Sequence, residues 1–280
     1  MSIEQTGSEA AFPGRGRALT LSWALRPLYG VYQRWLVRQI ADNPVPRHVG
    51  LILDGNRREA RRWGITDPAE IYRAGADRLD AVLKWCSELA IPAVTLWVCS
   101  TDNLGRTTDE VEGILGAIES KMRRLAEDPQ IHHRRVRVVA IGCLKLLPHS
   151  TLEAIRVAEA ATAKYEGMRL TIAVAYGGRQ EITDAVRSLL YEKAEQGASL
   201  TEAAESLTPD AIGRHLYLSG LPDPDLIIRT SGEIRLSGFL LWQSAYSEFY
   251  FCDLNWPAFR RVDFLRAIRA FQDRQRRHGL

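Results

Sequence analysis

From residue 48 onward the chain alternates between two kinds of stretch. Short apolar runs, partly β-branched, end abruptly in small polar or charged residues, and a segment with helical character follows. "HVGLIL" ends in "DGNRR", "AVTLWVC" in "STDNLGR", and "VRVVAIG" near "CLKLLPHS". "LTIAVA" ends in "YGGRQE", "DLII" in "RTSGE", and a short "FYF" in "CDLNWP". Between the runs lie helical stretches such as 69–90, with Ala74, Leu79, Val82, Leu83, Cys86 and Leu89 on one face. Strands alternating with helices predict an α/β fold, a mostly parallel central sheet flanked by helices. No repeat, low-complexity tract or inner linker interrupts the pattern, so one domain is expected over 45–280.

The start of the chain departs from this theme. Residues 1–19 carry early acids and no apolar signal core, and are expected to be a disordered tail. Residues 20–44 place Trp23, Leu28, Tyr32, Trp35 and Leu36 among Arg26, Arg34 and Arg38, which predicts an amphipathic helix bent near Pro27. Its apolar side can pack on the domain itself, the favoured reading, or dock peripherally on a membrane surface. The first places the protein in the cytoplasm, the second at the inner face of the cell membrane.

Composition narrows the function classes. With 37 basic against 34 acidic residues the net charge is +3, without the clustered basic excess of a nucleic-acid binder. The four cysteines are scattered, with no CxxC pair, and Cys99 closes an apolar run as a buried thiol in a reducing compartment would. His132 and His133 lack partners at zinc-ligand spacing. No run approaches the ~20 apolar residues of a membrane span.

In open α/β sheets ligands bind beyond the carboxyl ends of the strands, and this chain puts its polar residues there. Asp54, Asn56, Arg57 and Arg58 follow one strand, and Ser100, Asp102, Asn103 and Arg106 another. Arg229, Thr230, Ser231 and Glu233 follow a third. Turn chemistry accounts for the glycines and asparagines, but not for an arginine in nearly every turn. Arginine forks suit phosphate, and a carboxylate outnumbered by arginines suits magnesium held with phosphate oxygens, so a magnesium–diphosphate cradle is expected. No GxxxxGK[ST] loop, GxGxxG turn, GxSxG elbow or DDxxD box is present, and Ile52 and Asn56 exclude the paired aspartates of a haloacid-dehalogenase phosphatase.

"DGNRR", "STDNLGR", "YGGRQEI", "IIRTSGEIRLSGFLLWQSAYSEFYF" and the terminal "RHG" together closely resemble the cis-prenyltransferase family, the undecaprenyl diphosphate synthase type. The resemblance spans about 46–280, and the 222–248 block looks most like the short-chain (2Z,6E)-farnesyl diphosphate synthases of actinobacteria. It implies a magnesium-dependent homodimer joining isopentenyl diphosphate to an allylic diphosphate, with a hydrophobic tunnel for the tail. By the same resemblance, Asp54 would organise magnesium and the allylic diphosphate, held by Gly55, Asn56, Arg57 and Arg58. Asn103, with Ser100 nearby, would serve proton removal. Arg229, Arg235 and Ser237 would clamp isopentenyl diphosphate, with Leu236 between them, and Tyr72, Thr101, Asp102, Leu104 and Arg106 would complete the substrate sites. Glu248 would be the second magnesium ligand, and Arg277 and Gly279 would reach the neighbouring subunit's site. Val98 shares a strand face with Ser100 and would limit product length, which with a geranyl starter would give a C15 product.

Some positions depart from the family pattern. Glu59 stands where Trp is usual and is expected to repel diphosphate, with Trp63 restoring the aromatic wall one turn on. Tyr72 replaces a usual His, Ile71 a Gly, Leu104 a Trp and Asp102 a Glu. These keep open a longer-chain synthase, a branched coupling of two five-carbon units, and a non-catalytic partner subunit.

Overall fold

The computed structural model describes residues 26–278. Helix α1 spans Arg26–Ala41 and is followed by β1 (His48–Ile52), α2 (Asn56–Arg62), α3 (Pro68–Glu88) and β2 (Ala93–Trp97). Then come α4 (Thr108–Glu127), α5 (Pro129–His133), β3 (Arg137–Ile141), α6 (His149–Thr162), β4 (Arg169–Ala173) and α7 (Gly178–Glu195). Two short helices, α8 (Leu200–Glu205) and α9 (Pro209–His215), lead to β5 (Leu226–Arg229), β6 (Glu248–Phe251) and α10 (Arg261–His278).

The strands form one six-stranded sheet in the order β3-β4-β2-β1-β5-β6, and all five pairings are parallel. Each run quoted above supplies a strand, because an apolar four- or five-residue run bounded by turn formers can bury both faces. Residues on one face of the sheet, among them Val49, Leu51, Leu96 and Ile228, join the large core with Leu79, Leu83, Met122 and Phe264. The other face, with Ile52, Ile227 and Ala173, packs a smaller cluster around Tyr176 and Phe239. Gly50 is small of necessity, since a Cβ there would stand 3.0 Å from the Phe239 ring.

The chain leaves β1 toward β2 on one side and leaves β5 toward β6 on the other. The gap between β1 and β5 is therefore the topological switch point, where a crevice opens beyond the strand ends.

Helix α1 packs on α10. Leu36 and Ile40 are buried, and Gln272 Nε2 donates to the carbonyls of Ile40, Asn43 and Pro44 at 3.2, 3.0 and 3.1 Å. Arg260, Arg266 and Arg269 lie over the rings of Tyr29, Tyr32 and Trp35 at 5.5, 5.2 and 4.8 Å. Helix α1 thus packs on the domain through Leu36 and Ile40, while Tyr29, Val31 and Trp35 stay exposed. Pro27 sits at the described start of α1, residues 1–25 lie outside the described residues, and no described helix is long and apolar enough to cross a membrane.

Candidate active site

Asp54 and Arg229 end the two strands that flank the switch point. The register pairs Ile52 with Arg229, and Arg229 Nη2 donates to Asp54 Oδ2 at 2.7 Å. The Arg229 side chain is only 5% exposed. Its Nη1 donates to Ser237 Oγ at 2.8 Å and to the Arg235 carbonyl. Ser231 and Ser237 both adopt left-handed backbone (φ 82° and 51°), a strain that bends this loop around the guanidinium. Arg58 reaches the same loop from α2, donating to the Ser231 carbonyl at 3.1 Å and to Ser231 Oγ at 3.2 Å, with Asp54 Oδ1 at 3.5 Å. Burial pushes the Asp54 carboxyl up, but the hydrogen bond and charge of Arg229, aided by Ser231 and Arg58, hold it below the usual carboxylate range.

The Asp54 backbone is equally constrained. Its N–H donates to Thr230 Oγ1 at 3.0 Å, and its carbonyl accepts from Thr230 Oγ1 at 2.7 Å and from the Trp256 N–H at 2.9 Å. Gly55 follows with φ 96°, and a Cβ there would lie 2.3 Å from Asn255 Oδ1, so no other residue fits. Glu59, buried on the inner side of α2, accepts from Asn255 Nδ2 at 2.7 Å and so steadies the residue that shapes Gly55.

Across the crevice, the end of β2 turns at Ser100. The Ser100 N–H donates to Asn103 Oδ1 at 3.0 Å and the Asn103 N–H to Ser100 Oγ at 3.2 Å, a reciprocal box that fixes both side chains. Arg106 Nη1 donates to the Tyr72 hydroxyl at 3.1 Å, and Arg57 to Glu110 at 2.8 Å.

These residues wall a polar cleft of about 390 Å³. It opens into a narrower apolar pocket of about 70 Å³ between α3 and α4, through a neck of Leu53, Asn56, Tyr72, Val98 and Ile114. A guanidinium-lined cleft that leads into an apolar slot suits a molecule with a diphosphate head and a hydrocarbon tail.

Comparison with known proteins agrees. Residues 52–279 match the family described as putative undecaprenyl diphosphate synthase. The chain belongs to that family. It is 59% identical over 249 residues to an isoprenyl transferase of Deinococcus radiodurans, covering 89% of this chain and 90% of that one. It is 53% identical over 253 residues to a (2Z,6E)-farnesyl diphosphate synthase of Thermobifida fusca, covering 90% and 97%. Its fold matches lavandulyl diphosphate synthase from Lavandula x intermedia with a TM-score of 0.73 at 32% identity, covering 81% and 95%. The protein is thus a cis-prenyltransferase enzyme.

Not every expected site residue of this prenyltransferase reaches the cleft. Asp54, Gly55, Asn56, Arg57, Arg58, Tyr72, Val98, Ser100, Asn103, Arg106, Arg229 and Ser237 line it. Arg235 contributes its carbonyl to Arg229, while its guanidinium is exposed and paired with Glu233. Leu104 packs on the large core and Leu236 on the smaller one. Thr101 and Asp102 lie in the turn after β2, outside the wall, and Trp63 caps the carboxyl end of α2, also outside it. The expected repulsion from Glu59 does not arise, because its carboxylate faces Asn255 and Arg62 rather than the cleft. Glu248 opens β6 in register with Leu226 and Val49, at the amino end of the sheet, and pairs with Arg274 at 2.6 Å. Five residues of strand, ~16 Å, separate its level from that of Asp54, so the two do not meet within one chain. Arg277 lies in the last turn of α10 with its side chain outside what is described, and Gly279 lies outside the described residues. Sequence reading missed Arg61, one turn beyond Arg57 on α2, and Trp97, just before Val98; both line the cleft. Helical spacing from Arg57 could have found the first.

Proposed function

We propose that this enzyme condenses a C10 allylic diphosphate with isopentenyl diphosphate to give a short Z-prenyl diphosphate of C15, working as a magnesium-dependent homodimer in the cytoplasm. The observation that carries the chain length is the size of the apolar pocket. At about 70 Å³ it is small beside the polar cleft of about 390 Å³, which supports a short tail rather than a long one. Val98 stands at its neck, where a branched side chain narrows the way down.

In the reaction the allylic C–O bond breaks, a C–C bond forms to isopentenyl diphosphate, one proton leaves the new junction, and pyrophosphate departs. Arg57, Arg58 and Arg61 supply positive charge where the leaving group gains negative charge. Arg229, with Ser237 beside it, is pre-oriented to receive the second diphosphate. The apolar pocket keeps water from the allylic cation, and the Ser100–Asn103 box, in the cleft wall, is the polar pair available to receive the departing proton. Among the described residues no three His, Cys, Asp or Glu side chains gather into a metal cage. The donor set suits magnesium held by Asp54 together with diphosphate oxygens, which is how that ion usually binds. Bound there, it would neutralise charge on the leaving diphosphate.

Subunit association is supported by the edge strand β6, with the stacked and half-buried Phe249 and Phe251, and by the exposed Ile234, Leu241 and Tyr246 in the segment before it. A dimer is also what Glu248 requires if it serves a site, since it lies far from Asp54 in its own chain. The four buried free thiols suit a reducing compartment. A second reading, branched coupling of two C5 diphosphates, draws support from the likeness to lavandulyl diphosphate synthase.

The test is to incubate the pure protein with magnesium, isopentenyl diphosphate and dimethylallyl, geranyl or (E,E)-farnesyl diphosphate. A C15 product with the geranyl starter preferred is expected. Products of mainly C50 or longer would refute the short-chain reading, and a branched C10 product from dimethylallyl diphosphate alone would establish the second.

A further inference from the structure

The wall of the apolar pocket has one weak place. Ala76 of α3 and Ala117 and Lys121 of α4 line the pocket from within. The same three residues line a groove of about 200 Å³ on the outer side of the two helices, beside Gly116, Ser120 and Arg124. The partition between pocket and groove is therefore one residue thick. Two of its three members are alanines, so only Lys121 has the bulk to close it.

Lys121 is an unusual choice for that place. It is 6% exposed, in a wall that is otherwise apolar away from Asn56 and Tyr72 at the neck, and its ammonium is held by Asp80 of α3. Arg124 bridges Asp80 at 3.1 Å and Asp77 at 2.7 Å, so the acceptor itself is anchored. Near the amino end of α3 the helices touch again, with no slack. A Cβ on Gly113 would lie 2.8 Å from Pro68, which fixes the crossing. Between this tight crossing and the ion-pair clasp lies the pocket. A lysine stem stretched across a gap and tethered at its far end is a removable stopper. A leucine would be a permanent one.

We propose that Lys121, held by Asp80, plugs a side exit from the tail pocket and thereby helps limit product length. The proposal rests on the reading that this pocket takes the prenyl tail. Without the plug, a tail longer than the pocket can hold passes between α3 and α4 into the outer groove. It then need not push against the core at Ile172 and Met122, which also line the pocket.

The experiment compares Lys121→Ala, Lys121→Met and Asp80→Ala with wild type, using C10, C15 and C20 allylic diphosphates and reading product length. Lys121→Ala is expected to lengthen the main product by at least one C5 unit and to raise kcat/KM for the C20 starter at least tenfold. Lys121→Met keeps the stem and should retain the wild-type length, which a role through charge alone would not allow. Asp80→Ala, at a half-exposed position, frees the stem to swing outward and should lengthen products in part; it also carries the test if Lys121→Ala does not fold. Adding Ala76→Leu to Lys121→Ala should rebuild the partition and shorten the products again. Unchanged product lengths in folded Lys121→Ala and Asp80→Ala would overturn the proposal. Because each reading is a change relative to wild type, a wild-type product other than C15 refutes the short-chain assignment and leaves this test intact.

Discussion

The polar cleft and the tail pocket share a neck and differ in how they are held. The cleft is built from side chains already tied to one another: Asp54 to Arg229, Arg58 to Ser231, Ser100 to Asn103. Its groups stand in place before any ligand arrives, and preorganised charge of this kind is what stabilises a leaving group at little cost in reorganisation. The pocket, at about 70 Å³ against about 390 Å³, is lined mostly by aliphatic side chains, and its directional bonds are few: Asn56 to the Leu53 carbonyl, Trp256 to the Gly75 carbonyl and Lys121 to Asp80. It can widen only where helices part. One site thus holds the chemistry rigid and leaves the measure of the product to packing, so substitutions in the two places should fail in different ways.

The largest effect is expected at Asp54. Asp54→Ala should leave a folded protein whose turnover is lower by roughly three orders of magnitude or more, with product length in the residual activity unchanged. Near-normal rates in steady-state assays would break the assignment of the cleft.

Next come the two arginines that sequence reading treated alike. Arg229 is buried and directed at the cleft, whereas Arg235 is exposed and faces Glu233. Losing a charge-assisted contact of about 1.5–3 kcal/mol should raise the Michaelis constant for isopentenyl diphosphate by roughly 10- to 150-fold in Arg229→Ala. Arg235→Ala should do distinctly less. Equal effects would mean that Arg235 swings inward when substrate binds.

A smaller change is expected at the neck. Val98→Ala should cost about 1 kcal/mol of stability and lengthen the products by about one C5 unit, with the first condensation little altered. Product chromatography would show it, and an unchanged length would put the limit deeper, at Lys121.

The smallest effect is on pH dependence. The folded-state pKa of Asp54 is lowered, so its pairing contributes stability above the unfolded value, roughly 3.9, and loses it as pH falls through the folded value. The stability gap between wild type and Asp54→Asn in urea titrations should therefore stay constant from about pH 8 to 5 and shrink below about pH 4. A gap that narrowed already at pH 6 would mean a raised pKa instead.

Much of this was legible in the chain. Strands showed themselves because a run buried on both faces must be apolar and must stop at once where the crevice begins. The cleft followed, since Asp54, Ser100 and Arg229 each directly follow an apolar run. The place of Glu248 was readable too: it precedes "FYF" rather than following it, which puts it at the amino end of the sheet. Other features were not visible. The direction of Glu59 depends on Asn255, and their separation of 196 residues carries no local signature. Lys121 in a charged helix reads as a solvated face until α3 is seen against it.

The hydrogen bonds around Asp54 have a consequence for how the protein is made. Those that hold the Asp54 carboxylate and backbone come from Arg229, Thr230 and Trp256, at sequence distances of 175 residues and more, and Asn255 packs against Gly55. During synthesis at about 5–20 residues per second, the Asp54–Arg58 segment leaves the ribosome roughly 10–40 s before the strands that give it form. In that interval the segment has a carboxylate and two guanidinium groups but no fixed geometry. Substrate therefore cannot guide the early stages of folding. A chain cut short before Asn255 would carry every residue of the DGNRR motif and still lack the loop that the motif builds.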